Sequence, residues 1–181
     1  MKTSHRVLYE VVDGVAWITL NRRDALNAAD RAMVTQLRRA WRRVQSASGL
    51  VGAVVIGAGV EAFSLGLDRS GGVAPGSTDS LLPPRLDVPL VAAVNGAACA
   101  EAWGLVGAAD GVVAARHARL SPGRPPVSLR GGPGMSAEEA SAALVVDTVV
   151  PLIQLRREAD RTVRQLAPAG EGCGNGYRLV P

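Results

Sequence analysis

Apolar residues fall in a regular succession of short segments separated by turn-forming residues. Val7–Val12 is rich in β-branched residues, Asp13-Gly14 is a hairpin turn signal, and Val15–Leu20 reads as the returning strand. Asn21 to Asn27 is a polar, arginine-bearing loop. Asp30 is placed to cap a helix reaching about Val44, in which Met33, Leu37, Trp41 and Val44 recur at helical spacing and share one apolar face. Leu50–Ile56, Pro89–Val94 and Gly111–Ala115 are apolar without alternation, the pattern of strands covered on both faces. A helix is predicted over Ala100–Ala109, and a short one opens at Ser136 with Glu139 at capping-box spacing. Val145–Val150 reads as a strand. Leu152–Ala167 reads as an amphipathic helix with Leu152, Leu155, Ala159, Val163 and Leu166 turned inward. Arg69–Asp87 and Ser121–Gly134 are dense in Gly, Ser and Pro and read as loops. Strands alternating with helices argue for an α/β architecture with a parallel sheet.

The 181 residues suffice for one domain. It is expected over residues 1–167, with a glycine-rich flexible tail over 168–181. Aromatics at 3% leave few rings for stacking on bases, which argues against nucleic acid as a partner. Twenty basic against sixteen acidic residues give a net charge of +4, and Lys2 is the only lysine. Arg38, Arg39, Arg42 and Arg43 lie between the apolar positions of the first helix and read as a solvated face. The longest apolar stretch, Leu90 to Ala115, carries Asn95, Glu101 and Asp110, so it reads as buried structure and not as a membrane span. Met1–Arg6 has no signal-peptide pattern. Cys99 and Cys173 make neither a disulfide framework nor a metal-ligand spacing, so a reducing, cytoplasmic setting without a metal is expected. His5 and His117 have no local partner pattern, and no Walker loop, dinucleotide fingerprint or HExxH motif occurs.

Three segments carry the functional signal together. Residues 18–28 read Ile-Thr-Leu-Asn-Arg-Arg-Asp-Ala-Leu-Asn-Ala. Residues 54–68 read Val-Val-Ile-Gly-Ala-Gly-Val-Glu-Ala-Phe-Ser-Leu-Gly-Leu-Asp. Residues 89–98 read Pro-Leu-Val-Ala-Ala-Val-Asn-Gly-Ala-Ala, with Asp110 following. In this order and spacing the chain resembles the crotonase, or enoyl-CoA hydratase/isomerase, family over residues 7–167. The resemblance implies a crotonase-like spiral of repeated strand-strand-helix units, here with a shortened C-terminal helical region. It implies an acyl-CoA thioester as ligand, with coenzyme A part of the substrate and no separate cofactor. Family chemistry runs through an enolate whose oxygen is stabilised by two backbone N–H groups. The first donor implied here is the amide of Leu67, with substrate contact along Ser64, Leu65 and Gly66. The second falls after Asn95-Gly96, with Gly96 also on the ligand side. Alignment without gaps from there to Asp110 places Ala100, Glu101 and Ala102 on positions usually held by glycine. The second donor is then the amide of Glu101, at a helix start that favours an anion, with a side chain crowding the approach. Arg22 and Arg23 border the CoA phosphates in the implied arrangement, where a forked guanidinium suits phosphate; otherwise they are exposed loop residues.

The chain also departs from the family pattern. The two catalytic glutamate positions of many hydratases fall on Gly104 and on Gly123 or Arg124, none of which moves a proton at neutral pH. Glu101 is the only carboxylate between Asn95 and Asp110. It reads as a general base, as a carboxylate stabilised by the helix start, or as a side chain blocking the pocket. Asp68 and Asp110 read as structural. The stretch from Leu120 to Met135 is short for the family, with Gly131-Gly132-Pro133-Gly134 as a remnant. The last helices, which build the family's trimer, are mostly absent after Ala167. Two functions follow from the resemblance: an acyl-CoA lyase or isomerase without the usual glutamate pair, or a non-catalytic auxiliary subunit assisting a biosynthetic enzyme. The corresponding assemblies are a homo-trimer and a complex with a partner enzyme.

Overall fold

The computed structural model describes residues 5–68, 70, 81–123 and 134–167. Among the described residues, ten strands and four α-helices follow one another as β1 (Val7–Val12), β2 (Val15–Leu20), α1 (Arg31–Ser46), β3 (Gly52–Gly57), β4 (Ala62–Ser64), β5 (Leu90–Val94), β6 (Ala97–Cys99), α2 (Glu101–Gly107), β7 (Gly111–Ala115), β8 (Arg119–Ser121), β9 (Met135–Ser136), α3 (Ala137–Ala142), β10 (Thr148–Val150) and α4 (Leu155–Leu166). Six strands form a sheet in the order β1-β2-β3-β5-β7-β10, in which only β1 runs antiparallel to its neighbour. A smaller sheet has the order β4-β6-β8-β9, with β4, β6 and β8 parallel. The chain winds repeatedly from a strand of the large sheet, around a corner, into a strand of the small sheet and on to a helix. The units β5-β6-α2 and β7-β8-β9-α3 show the complete turn. This is the expected spiral of strand-strand-helix units.

The burial explains the apolar runs. One face of the large sheet packs with α1, α2 and the small sheet around Ile18, Leu37, Trp41, Val55, Phe63, Leu105 and Leu120. The other face is covered by α4, with Trp17, Val54, Val91 and Val113 against Leu155, Ala159 and Val163. Strands β3, β5 and β7 are thus buried on both sides, and alternation has no reason to appear. Helix α1 starts as expected, with Asp30 Oδ1 accepting from the Met33 N–H at 2.8 Å. The Ser136–Glu139 capping box is present in full.

The small sheet is absent from the sequence expectations, because strands of two or three residues carry no readable period. Ser121, placed in a loop by its Pro- and Gly-rich surroundings, ends β8. The strand expected over Val145–Val150 contracts to Thr148–Val150. Leu144 turns left-handed at φ 59°, and the Val145 and Val146 amides bond back to the Ala140 carbonyl, which uses those residues to finish α3. Leu152–Gln154 forms a separate 3-10 turn after Pro151, so α4 begins at Leu155; Leu166 at its end is 39% exposed. Most of the Arg69–Asp87 and Ser121–Gly134 loops and all of the 168–181 tail lie outside the described residues. No helix among the described residues is long and apolar enough to cross a membrane.

Two buried asparagines and Gly96 make the corners between the sheets. Asn95 Oδ1 accepts from the Gly57 N–H at 2.9 Å, and its Nδ2 donates to the Gly59 and Ala62 carbonyls. Asn27 Nδ2 donates to the carbonyls of Ala58 and Ala62, while its Oδ1 accepts from the Arg22 N–H. Each asparagine is 1% exposed and stands in for a stretch of sheet ladder where the backbone turns. A Cβ on Gly96 would overlap the backbone of Glu61, so this position needs glycine for close approach and not for a positive φ.

Candidate active site

In an open parallel sheet, the loops leaving the carboxyl ends of adjacent strands converge. Here β4, β6 and β8 lie side by side, so three loops meet: Leu65–Asp68 after β4, Ala100–Glu101 after β6 and Pro122–Gly123 after β8.

The first loop is fixed by backbone and hydroxyl contacts. Ser64 is fully buried; its Oγ donates to the Asn27 carbonyl at 2.8 Å and accepts from the Gly66 N–H at 3.1 Å. Gly66 turns left-handed at φ 87°. The Ala29 N–H donates to the Gly66 carbonyl and the Asp68 N–H donates to the Ala29 carbonyl, so a parallel bridge clamps both sides of Leu67. That leaves the Leu67 N–H directed across the gap to the β6 loop, where it donates to Glu101 Oε2 at 3.0 Å. Leu65, like Leu26, is half-buried against the cluster of Ala62, Ala97 and Cys99.

The second loop carries the departures seen in the sequence. Ala100 has φ 52° and ψ −124°, a conformation normally reserved for glycine, and is held there by its N–H, which donates to the Ser121 and Gly123 carbonyls. Glu101 then opens α2. Glu101 and Gly66 approach so closely that a Cβ on Gly66 would overlap Glu101 Oε2 and stand 3.0 Å from the Glu101 nitrogen. The amides of Leu67 and Glu101, paired in the sequence reading, therefore belong to adjacent backbones, and the Glu101 carboxylate sits between the loops. Gly104 is exposed on α2, with only Leu82 Cδ2 near its missing side chain, at 3.6 Å. Gly123 is exposed at the third loop, and Arg124 lies outside the described residues.

The two loop arginines have different roles. Arg22 Nη1 donates to Asp68 Oδ2 at 2.6 Å and to the Ala28 carbonyl at 3.0 Å, and its Nε lies 3.5 Å from Asp30 Oδ2. Only 15% of its side chain is exposed, so it braces the loop that presents Leu67. The Ser70 hydroxyl and the Arg22 guanidinium hold the Asp68 carboxyl below its ordinary range. Arg23 is exposed and lines a cavity of about 240 Å3 with Leu26, Gly59 and Glu61. Gly96, expected on the ligand side, abuts the backbone of Glu61 and Ala62 at the sheet corner. Burial pushes the Cys99 thiol up, so it stays protonated at neutral pH. Asp110 Oδ2 accepts from the Leu90 N–H at 2.8 Å, a structural bond between β5 and the start of β7. A larger depression of about 660 Å3 lies between α1 and residues 82–84 and contains none of these residues.

The sequence reading does not include the side-chain hydrogen bonds by which Asn27, Ser64 and Asn95 hold the corners and the first loop. It also could not place the Glu101 carboxylate on the Leu67 amide, because residues 34 apart meet only through the small sheet.

Comparison with known proteins shows the family and the fold. The family described as enoyl-CoA hydratase/isomerase matches residues 10–125. The chain belongs to that family, the crotonases. Over 125 residues it is 35% identical to a probable enoyl-CoA hydratase of Rhodobacter capsulatus, covering 63% of this chain and 48% of that protein. It is 30% identical to the (E)-benzylidenesuccinyl-CoA hydratase of Thauera aromatica over 124 residues, with the same coverage of 63% and 48%. The chain thus spans about half the length of the curated relatives it matches. Among solved structures, an enoyl-CoA hydratase/isomerase from Xanthobacter autotrophicus superposes with a TM-score of 0.74 at 28% identity, covering 89% of this chain and 72% of that one. One from Mycobacterium paratuberculosis gives 0.73 at 26%, covering 87% and 73%.

Proposed function

We propose that the chain binds an acyl-CoA thioester between the β4 and β6 loops, with the Leu67 N–H donating to the thioester oxygen and the Glu101 N–H beside it as second donor. A single observation supports this most strongly: the Leu67 amide already receives a negatively charged oxygen, that of Glu101, at 3.0 Å. A donor preorganised toward a carboxylate oxygen is equally suited to an enolate oxygen. Backbone clamps on Ala29 hold the donor itself in place. Phosphate contact falls to Arg23, because Arg22 is committed to Asp68 and Asp30. The reaction is a lyase or isomerase step at the carbon next to the thioester. Calorimetric titration with CoA and short-chain acyl-CoAs tests the reading: saturable binding that favours the thioesters over CoA supports it, and no binding to any of them overturns it.

A second reading rests on Gly104 and Gly123, which supply no carboxylate where many hydratases carry one. In it the fold serves as a non-catalytic subunit of a biosynthetic enzyme. Leu144 and Ile153, 81% and 93% exposed on either side of β10, are the apolar residues that a second copy or a partner enzyme would cover. Turnover of acyl-CoA by the isolated chain rules this reading out; co-purification with an acyl-CoA enzyme, without turnover alone, supports it. In either case two cysteines, too few for a disulfide framework, fit a cytoplasmic setting.

A further inference from the structure

The Glu101 carboxylate is in the wrong place for a bystander. It reaches back from the first residue of α2 to a backbone donor of the β4 loop, the Leu67 N–H. The contact fits tightly: Gly66, with no side chain, is the residue over which the carboxylate passes, and any Cβ there would overlap it. A carboxylate accepts a hydrogen bond more strongly than the neutral carbonyl of a thioester. We propose that Glu101 is a built-in competitor for the Leu67 amide, so that a thioester engages this donor only by displacing the carboxylate. This rests on the acyl-CoA reading above and sharpens it.

The consequence is a specificity rule. A neutral ground-state thioester oxygen competes poorly with a tethered carboxylate, whereas an oxygen bearing full negative charge competes on equal terms. The Leu67 donor therefore discriminates by charge at the acyl oxygen. Displacement requires the Glu101 side chain, which starts from an intermediate-exposure position at the first residue of α2, to rotate away from the Leu67 amide. Once displaced, it remains within side-chain reach of the bound acyl group.

The test is the affinity of the wild-type chain, Glu101→Gln and Glu101→Ala for CoA and for a short-chain acyl-CoA, with melting curves to verify that all three fold. Glutamine keeps the length and removes the charge; alanine removes both. The expected result is that acyl-CoA affinity rises in the order wild type, Gln, Ala, by at least about tenfold overall, while CoA affinity stays unchanged. Equal or weaker thioester binding by both variants overturns the competition and leaves the acyl-CoA reading standing. Absence of acyl-CoA binding by all three proteins overturns both together.

Discussion

The two loops that face each other across the site are built on opposite terms. After β4, the chain has glycine where a left-handed turn is needed, a buried hydroxyl to hold it, and a bridge to Ala29 on both sides of Leu67. After β6, it has alanine in a glycine conformation and a glutamate where the opposing backbone leaves no room for a further side chain. Each loop nonetheless turns through a residue of positive φ, Gly66 in the first and Ala100 in the second. The difference teaches that neighbouring strands can fix a turn that its own residue disfavours, because hydrogen bonds to the Ser121 and Gly123 carbonyls hold Ala100 in a glycine-like conformation.

This contrast is open to direct attack. The largest effect is expected at the corner that sets both loops. Gly96→Ala forces a Cβ into the Glu61 backbone and should cost about 3 kcal/mol, read as a lower urea midpoint. An unchanged midpoint would mean the corner yields easily. Next comes the brace behind the first loop. Arg22→Ala leaves Asp68 and Asp30 without their shared cation and should cost about 2 kcal/mol, with Leu67 presentation loosened.

The same brace gives a pH dependence. Asp68 titrates lower in the folded chain than in the unfolded one, so its contribution is fully present above its ordinary range near about 4 and is lost as pH falls through the folded value. Acid unfolding should therefore be less steep in Asp68→Asn than in the wild type; equal steepness would remove Asp68 from the account. At the second loop the expected sign reverses. Ala100→Gly relieves a positive φ and should stabilise the fold by about 1 kcal/mol, and a destabilised variant would show that the strain is not stored there. The smallest effect belongs to α2. Gly104→Glu has space beside Leu82 and replaces a helix-interior glycine, so a gain of about 0.5 kcal/mol in melting experiments is expected, and a loss would mean the helix cannot take the side chain.

How much of this was legible beforehand follows from the length of each signal. β1, β2 and β7 have the bounds that their apolar runs predict, and α1 and α3 start at the predicted caps, because five or six residues of strand and a capping side chain are local, repeated information. The small sheet was invisible, since three-residue strands such as Ala97–Cys99 are specified by their corners and neighbours and not by a period. The site shows the same division. Leu67 and Glu101 were named from the family resemblance, and the fold does bring them together. That Arg22 is an internal brace depends on Asp68, 46 residues away, and no local pattern encodes such a pairing.

The claim on which everything else depends is that the Leu67 N–H receives the acyl oxygen. Difference infrared spectroscopy with a short-chain acyl-CoA labelled with 13C at the thioester carbonyl, bound to Glu101→Ala, reads that bond without assuming a reaction. The account predicts a carbonyl band moved to lower frequency than in solution, as polarisation by a backbone donor requires. A bound ligand whose carbonyl band stays at its solution position would contradict it.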